Sequence, residues 1–171
     1  MKKVAVVMGS ASDAPVMLTA TEILQRFGVE YEVEVMSAHR TPERVRVWTE
    51  QARDRGVAVI VAGAGGAAHL AGVIAAHTTL PVVGVPLDAS PLHGVDSLYA
   101  TVQMPAGVPV ACVAIGKPGA TNAAILAVEI LGITEAEVAS KLGDYRRRMA
   151  EDVARKSEEL KASLAAGKSP S

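Results

Sequence analysis

The chain predicts a doubly wound α/β domain around a parallel sheet with strand order 2-1-3-4-5. Three observations carry this. Strand-like apolar runs alternate with helix-like amphipathic runs from end to end. Residues 3–8 and Val57-Ala-Val-Ile-Val61 lack polar alternation, as strands covered on both faces do. Gly28, Gly56 and Gly132 each follow an amphipathic run, where a helix stops.

The elements follow in order. A buried strand over 3–8 leads through the turn Gly9-Ser-Ala-Ser-Asp13 into a helix over about 13–27. Val16, Met17, Ala20, Ile23, Leu24 and Phe27 give that helix one apolar face. A second strand spans 31–36. The next helix runs over about 42–54, with Thr41 as its cap, Pro42 in its first turn and Val45, Trp48 and Ala52 on its apolar side. After strand 57–61 comes the glycine-rich turn 62–67. Residues 67–76 then form a helix that is apolar nearly all round, a pattern that asks for cover on every side. A 171-residue domain has little room for such a helix, so a neighbouring subunit is the expected cover. A fourth strand at 82–85, a loop at 86–94, a helix at 95–103, a fifth strand at 108–115 and a helix from after Gly119 to Leu131 complete the alternation. A long charged helix over 134–166, seamed by Val138, Leu142, Tyr145, Met149 and Val153, is expected to pack on a neighbour, and 167–171 to fray. The whole reads as a single domain, 1–166.

Composition narrows the function. Half the residues are hydrophobic but only 3% are aromatic, so the core is built of Val, Ile, Leu and Ala. Seventeen basic residues against eighteen acidic ones leave a net charge of −1, with no electrostatic footprint for nucleic acid. No uninterrupted apolar run reaches the length of a membrane span, and the apolar run after Lys2-Lys3 is too short for a signal peptide. Cys112 is the only cysteine, which excludes an intrachain disulfide and fits a cytoplasmic setting. No paired cysteines and no i, i+4 histidines exist to hold zinc, and no G-x-S-x-G elbow marks a serine hydrolase.

The chemistry concentrates at Ser37-Ala-His-Arg-Thr-Pro42, where strand two ends and a helix begins. In open α/β sheets that edge binds ligands. His39 can exchange a proton near neutral pH. Arg40 offers a fixed fork of donors for phosphate or carboxylate. The order 2-1-3-4-5 brings two more loops to the same crevice. Gly9-Ser-Ala-Ser-Asp13 sets small residues and hydroxyls at a helix N-terminus, a pattern that suits an anion or plain capping by Ser12 or Asp13. Gly63-Ala-Gly-Gly66 follows a buried strand but matches neither a Walker sequence nor a full dinucleotide fingerprint; a backbone cradle for a small planar group or carboxylate fits it better. On residue type and position alone, His69 reads as a core or interface histidine. Together these groups suit proton transfer on a phosphorylated small molecule, without metal or redox cofactor.

Four segments in order resemble one family: Val7-Met-Gly-Ser-Ala-Ser-Asp13, Ser37-Ala-His-Arg-Thr-Pro42, Ala62-Gly-Ala-Gly-Gly-Ala-Ala-His-Leu70, and Asp96-Ser-Leu98 with Val102-Gln-Met-Pro105. They are similar to the signature segments of class I N5-carboxyaminoimidazole ribonucleotide mutases, the catalytic-subunit type of phosphoribosylaminoimidazole carboxylase in purine synthesis. The resemblance implies a flavodoxin-like three-layer α/β/α sandwich and a homo-octamer. It implies migration of a carboxylate from N5 to C4 of an aminoimidazole ribonucleotide with no cofactor. It also implies roles: Ser10, Asp13, Ser37 and Arg40 bind the nucleotide, with Arg40 and Ser37 on the phosphate and Asp13 on the ribose. His39 is the general acid and base. Gly63, Ala64, Gly65, Gly66, Ala67 and His69 line the pocket for the carboxylate or CO2. Ala14 and Ala71 depart from the family's usual residues. Two alternatives stand beside this reading. One is the class II carboxylase that uses aminoimidazole ribonucleotide and free CO2, which typically carries Ser-Ala-His-Lys-Gly instead of Ser-Ala-His-Arg-Thr-Pro. The other is a non-catalytic flavin- or nucleotide-binding module on the same fold.

Overall fold

A computed structural model describes residues 2–166. The expected frayed tail, 167–171, lies outside the described residues. Five parallel strands form one sheet in the order β2-β1-β3-β4-β5, as the alternation predicts. They are β1 (Lys3–Met8), β2 (Tyr31–Val35), β3 (Val57–Gly65), β4 (Val82–Leu87) and β5 (Ala111–Cys112). The helices are α1 (Ala14–Phe27), α2 (Pro42–Glu50), α3 (Leu70–Ala76), α4 (Val95–Val102), α5 (Gly116–Gly132) and α6 (Ala136–Ala165). A short 3-10 turn, Ala11–Asp13, leads into α1.

The sheet has a core on each face. On one, Val4, Val6, Val59, Val61, Val83 and Val85 meet Met17, Leu24 and Phe27 of α1 and Ala120, Ala124 and Val128 of α5. On the other, Ala5, Val7, Ile60 and Val82 meet Val45 of α2 and Leu70, Ala71 and Ile74 of α3. Successive strand residues point to opposite faces, so the unbroken apolar runs of β1 and β3 supply both cores. This three-layer arrangement is the flavodoxin-like sandwich.

Several boundaries differ from the sequence expectation. β3 continues through Gly65 instead of turning at Ala62, because β4 pairs alongside it as far as Gly65↔Leu87. β4 runs through Pro86. Ile60 N–H donates to Pro81 O and Val113 N–H to Gly84 O, so by alternation Pro86 faces the β5 side. β5 accompanies β4 only at Val83 and Gly84, so no ladder bond is asked of Pro86. The fifth strand shrinks from 108–115 to two residues, with Pro109 just before it. α2 stops at Glu50, and the chain reaches Gly56 (φ +85) through tight turns.

α3 is shorter than predicted because Gly66 (φ +59) and Ala68 (φ +45) turn the chain before Leu70. Leu70, Ala71 and Ile74 are buried within the domain itself, so the case for a second subunit at this helix is narrower than the sequence suggests. The case at α6 is stronger. Val138 is buried and Leu142 and Tyr145 pack against the core, but Met149, Val153, Leu160 and Leu164 stay 46–69% exposed along the rest of the helix. Among the described residues, no helix is long and apolar enough to cross a membrane.

Candidate active site

At the carboxyl edge of the sheet, the loops after β1, β2 and β3 converge on a cleft of about 410 Å³. Its lining includes Ser10, Asp13, Ser37, His39, Arg40, Ala64, Gly65, Gly66 and His69. Gly63 and Ala67 do not line it. Gly63 is buried within β3, where a Cβ would stand 2.2 Å from Met17 Sδ, and Ala67 turns outward to solvent. Gly9, Ser12, Ala38, Ala68, Leu70 and Ala89 also line the cleft. Ala89 comes from the loop after β4, and no chemistry in an alanine marks it in a sequence.

The first loop is set by a capping box. Ser12 N–H donates to Ser10 Oγ (3.3 Å), and Ser10 N–H donates to Asp13 Oδ2 (3.0 Å). The side-chain cap is thus Ser10 rather than Ser12 or Asp13, with Asp13 as its reciprocal partner, and both Ser10 and Asp13 also line the cleft. Burial pushes the Asp13 carboxyl above its ordinary value of 3.8, against the pull of the Ser10 N–H and the Arg40 guanidinium.

That shift has a consequence with a definite sign. As pH rises past the unfolded-chain pKa, the unfolded state gives up its proton first, so stability falls until the folded-state pKa is passed. Asp13→Asn is therefore expected to melt higher than wild type at neutral pH, and the advantage to vanish in acid below both values. The same variant is expected to bind nucleotide more weakly. Melting curves at neutral and acid pH check the first point and calorimetry the second; a lower melting temperature at neutral pH would contradict it.

The second loop is a closed turn. Thr41 occupies the cap position of α2 but makes no side-chain cap bond there. Its Oγ1 instead accepts from Ser37 N–H (3.0 Å) and donates to Ser37 O (3.0 Å). Ser37 Oγ accepts from Arg40 N–H (3.2 Å). Ser37 to Thr41 are thereby locked between strand end and helix start, and His39 and Arg40 project from the lock. The Arg40 guanidinium reaches across to Gly9 O (3.2 Å), tying the second loop to the first.

His69 is exposed just before α3, and its Nδ1 lies 2.7 Å from His39 Nε2, the rings meeting edge-on at 78°. It is therefore not a core histidine. In a neutral pair one nitrogen donates and the other accepts, so a proton placed on either ring has a partner already in reach. The cleft thus joins a proton carrier, a fixed cation and a hydroxyl-rich turn, all on the edges of rigid strands. These are the parts of an α/β enzyme that moves protons on an anionic small molecule.

The chain belongs to the AIR carboxylase family, whose model matches residues 3–152. It is 53% identical over 160 residues to the N5-carboxyaminoimidazole ribonucleotide mutase of Thermotoga maritima, covering 94% of this chain and 92% of that one. It is 52% identical over 151 residues to the N5-carboxyaminoimidazole ribonucleotide mutase of Escherichia coli K12, covering 88% and 89%. The crystal structure of Treponema denticola PurE superposes with a TM-score of 0.85 at 27% identity, covering 94% of this chain and 99% of that one.

Proposed function

We propose that the protein is an N5-carboxyaminoimidazole ribonucleotide mutase of purine biosynthesis, with residues 1–166 as its single catalytic domain. The observation that carries this reading is the meeting of His39, Arg40 and Asp13 in one cleft. The named activity of the 52–53% identical relatives supports it.

His39 enters the cycle protonated and gives its proton to N5. The N5–carboxyl bond then breaks, releasing CO2 and leaving a neutral amine. C4, made electron-rich by that amine, attacks the CO2 and forms the new carbon–carbon bond. His39, now neutral, takes the proton from C4, which restores the aromatic ring and returns the histidine to its starting state. Arg40 with Ser37 binds the phosphate, and Asp13 with Ser10 the ribose side. Ala64–Gly66 and His69 wall the place where CO2 waits, shielding it from water.

A paired assay tests the reading. Turnover of N5-carboxyaminoimidazole ribonucleotide is expected to far exceed turnover of aminoimidazole ribonucleotide with bicarbonate at modest concentration. Efficient use of the second pair would move the protein to the class II carboxylase, and activity with neither would leave a binding module.

The enzyme works as a homo-oligomer in the cytoplasm, with eight copies as the family resemblance implies. The exposed seam from Met149 to Leu164 supports association, since a 30-residue helix otherwise carries large apolar side chains into water.

A further inference from the structure

The segment Asp96-Ser-Leu98 has no place in the chemistry above, yet it sits directly behind the cleft. Ser97 is fully buried, and its Oγ lies 2.8 Å from Leu87 O and 2.9 Å from Gly94 O. Those carbonyls flank the loop 88–94, so one hydroxyl ties the end of β4 to the start of α4. The loop needs such a tie. His93 (φ +52) and Gly94 (φ +83) are consecutive left-handed residues, a conformation that a non-glycine residue adopts only under constraint. Gly94 is also closely packed: a Cβ there would stand 2.6 Å from Ile115 Cγ2.

Asp96 adds a second hold. Ser90 Oγ accepts from Leu92 N–H (3.1 Å), which leaves its own hydrogen for the Asp96 carboxylate. That hydroxyl, above all, holds the Asp96 carboxyl below the usual carboxylate range. Asp96 Oδ1 is buried without a hydrogen-bond partner. What the loop delivers is Ala89. It lines the cleft and packs so tightly on β3 that a Cβ on Gly65 would lie 2.3 Å from Ala89 Cβ.

We propose that Ser97, assisted by Asp96, is a positioning residue that fixes the loop 88–94 so that Ala89 forms the wall of the cleft beside Gly65. The proposal rests on the mutase reading and deepens it: Ala89 sets how closely the substrate is held, without touching the proton chemistry of His39.

A double-mutant cycle of Ser97→Ala and Ala89→Gly tests it, with kcat and KM measured separately and binding of aminoimidazole ribonucleotide followed by calorimetry. Each single variant is expected to raise KM and weaken binding by about tenfold while kcat stays within about threefold. The double variant is expected to do no worse than the weaker-binding single, because both changes loosen the same wall. Multiplying effects, or an unchanged KM in Ser97→Ala, would overturn the proposal. If Ser97→Ala does not fold, Asp96→Ala replaces it. It removes the acceptor of the Ser90 hydroxyl, and it is expected to raise KM by about threefold; an unchanged KM overturns the proposal there too. Wild-type protein that neither binds the nucleotide nor turns it over would overturn both readings. Active wild type with unmoved variants would overturn this one alone.

Discussion

His39→Asn is expected to lower kcat by about 10³-fold or more while leaving the nucleotide bound. Asparagine fills similar space and can still bond His69, which stands 2.7 Å from His39 Nε2. Arg40 keeps its bond to Gly9 O, and the turn closed by Ser37 and Thr41 does not involve the imidazole at all. Only the exchangeable proton is lost. That proton serves twice in each cycle, once to release CO2 from N5 and once on its way back from C4. Losing it stops both halves, so no partial reaction should accumulate. Steady-state kinetics together with calorimetry separate the two effects. A variant within tenfold of wild-type kcat would remove His39 from the mechanism. A variant that no longer binds nucleotide would mean that the imidazole holds the substrate rather than the proton.

The same residues show what a sequence makes legible. His39 and Arg40 could be singled out because two chemically loaded side chains follow a clean strand and precede a proline-started helix. Alternation implies a parallel doubly wound sheet, and the simplest order for one, which the structure has, places three loops in one crevice. His69 was legible only through family resemblance, because its apolar neighbours Leu70, Ala71 and Ile74 argue for burial. Nothing local reveals that Gly66 and Ala68 turn the chain just before it and leave the ring exposed beside His39. Ala89 was not legible as a site residue at all, and Ser97 was marked only as part of a resemblance segment, with no role attached. An alanine wall and a hydroxyl shared between two carbonyls depend on which loop returns to which strand end, and no periodicity encodes that. The extent of β3 fails in the same way. Glycines read as a turn by propensity, but here Gly63 and Gly65 are strand residues made small by Met17 and Ala89 packed against them.

Gly119→Ala carries the largest expected loss of stability. Gly119 is buried in the first turn of α5, and a Cβ there would stand 1.7 Å from Ala114 O and 2.7 Å from Ala114 C. The obstacle is backbone, so no rotamer change relieves it. Either the entering chain at Ala114 or the start of α5 must move, and α5 packs on α1 and β4 through Ala120, Ala124 and Val128. The expected cost is about 3 kcal/mol, the upper end of overpacking, or more. In a domain of this size that corresponds to a melting temperature lower by roughly 10 °C. The internal comparison is Gly143→Ala in α6, where a Cβ would meet nothing within 4 Å. There the substitution only restrains a flexible residue inside a helix, and it is expected to stabilise by about 0.5–1 kcal/mol. One chemical change thus takes opposite signs at two helical glycines, decided by what each added methyl would touch. Thermal melts of the two variants read both signs. Equal melting temperatures would show that α5 does not start against Ala114 as closely as this packing requires.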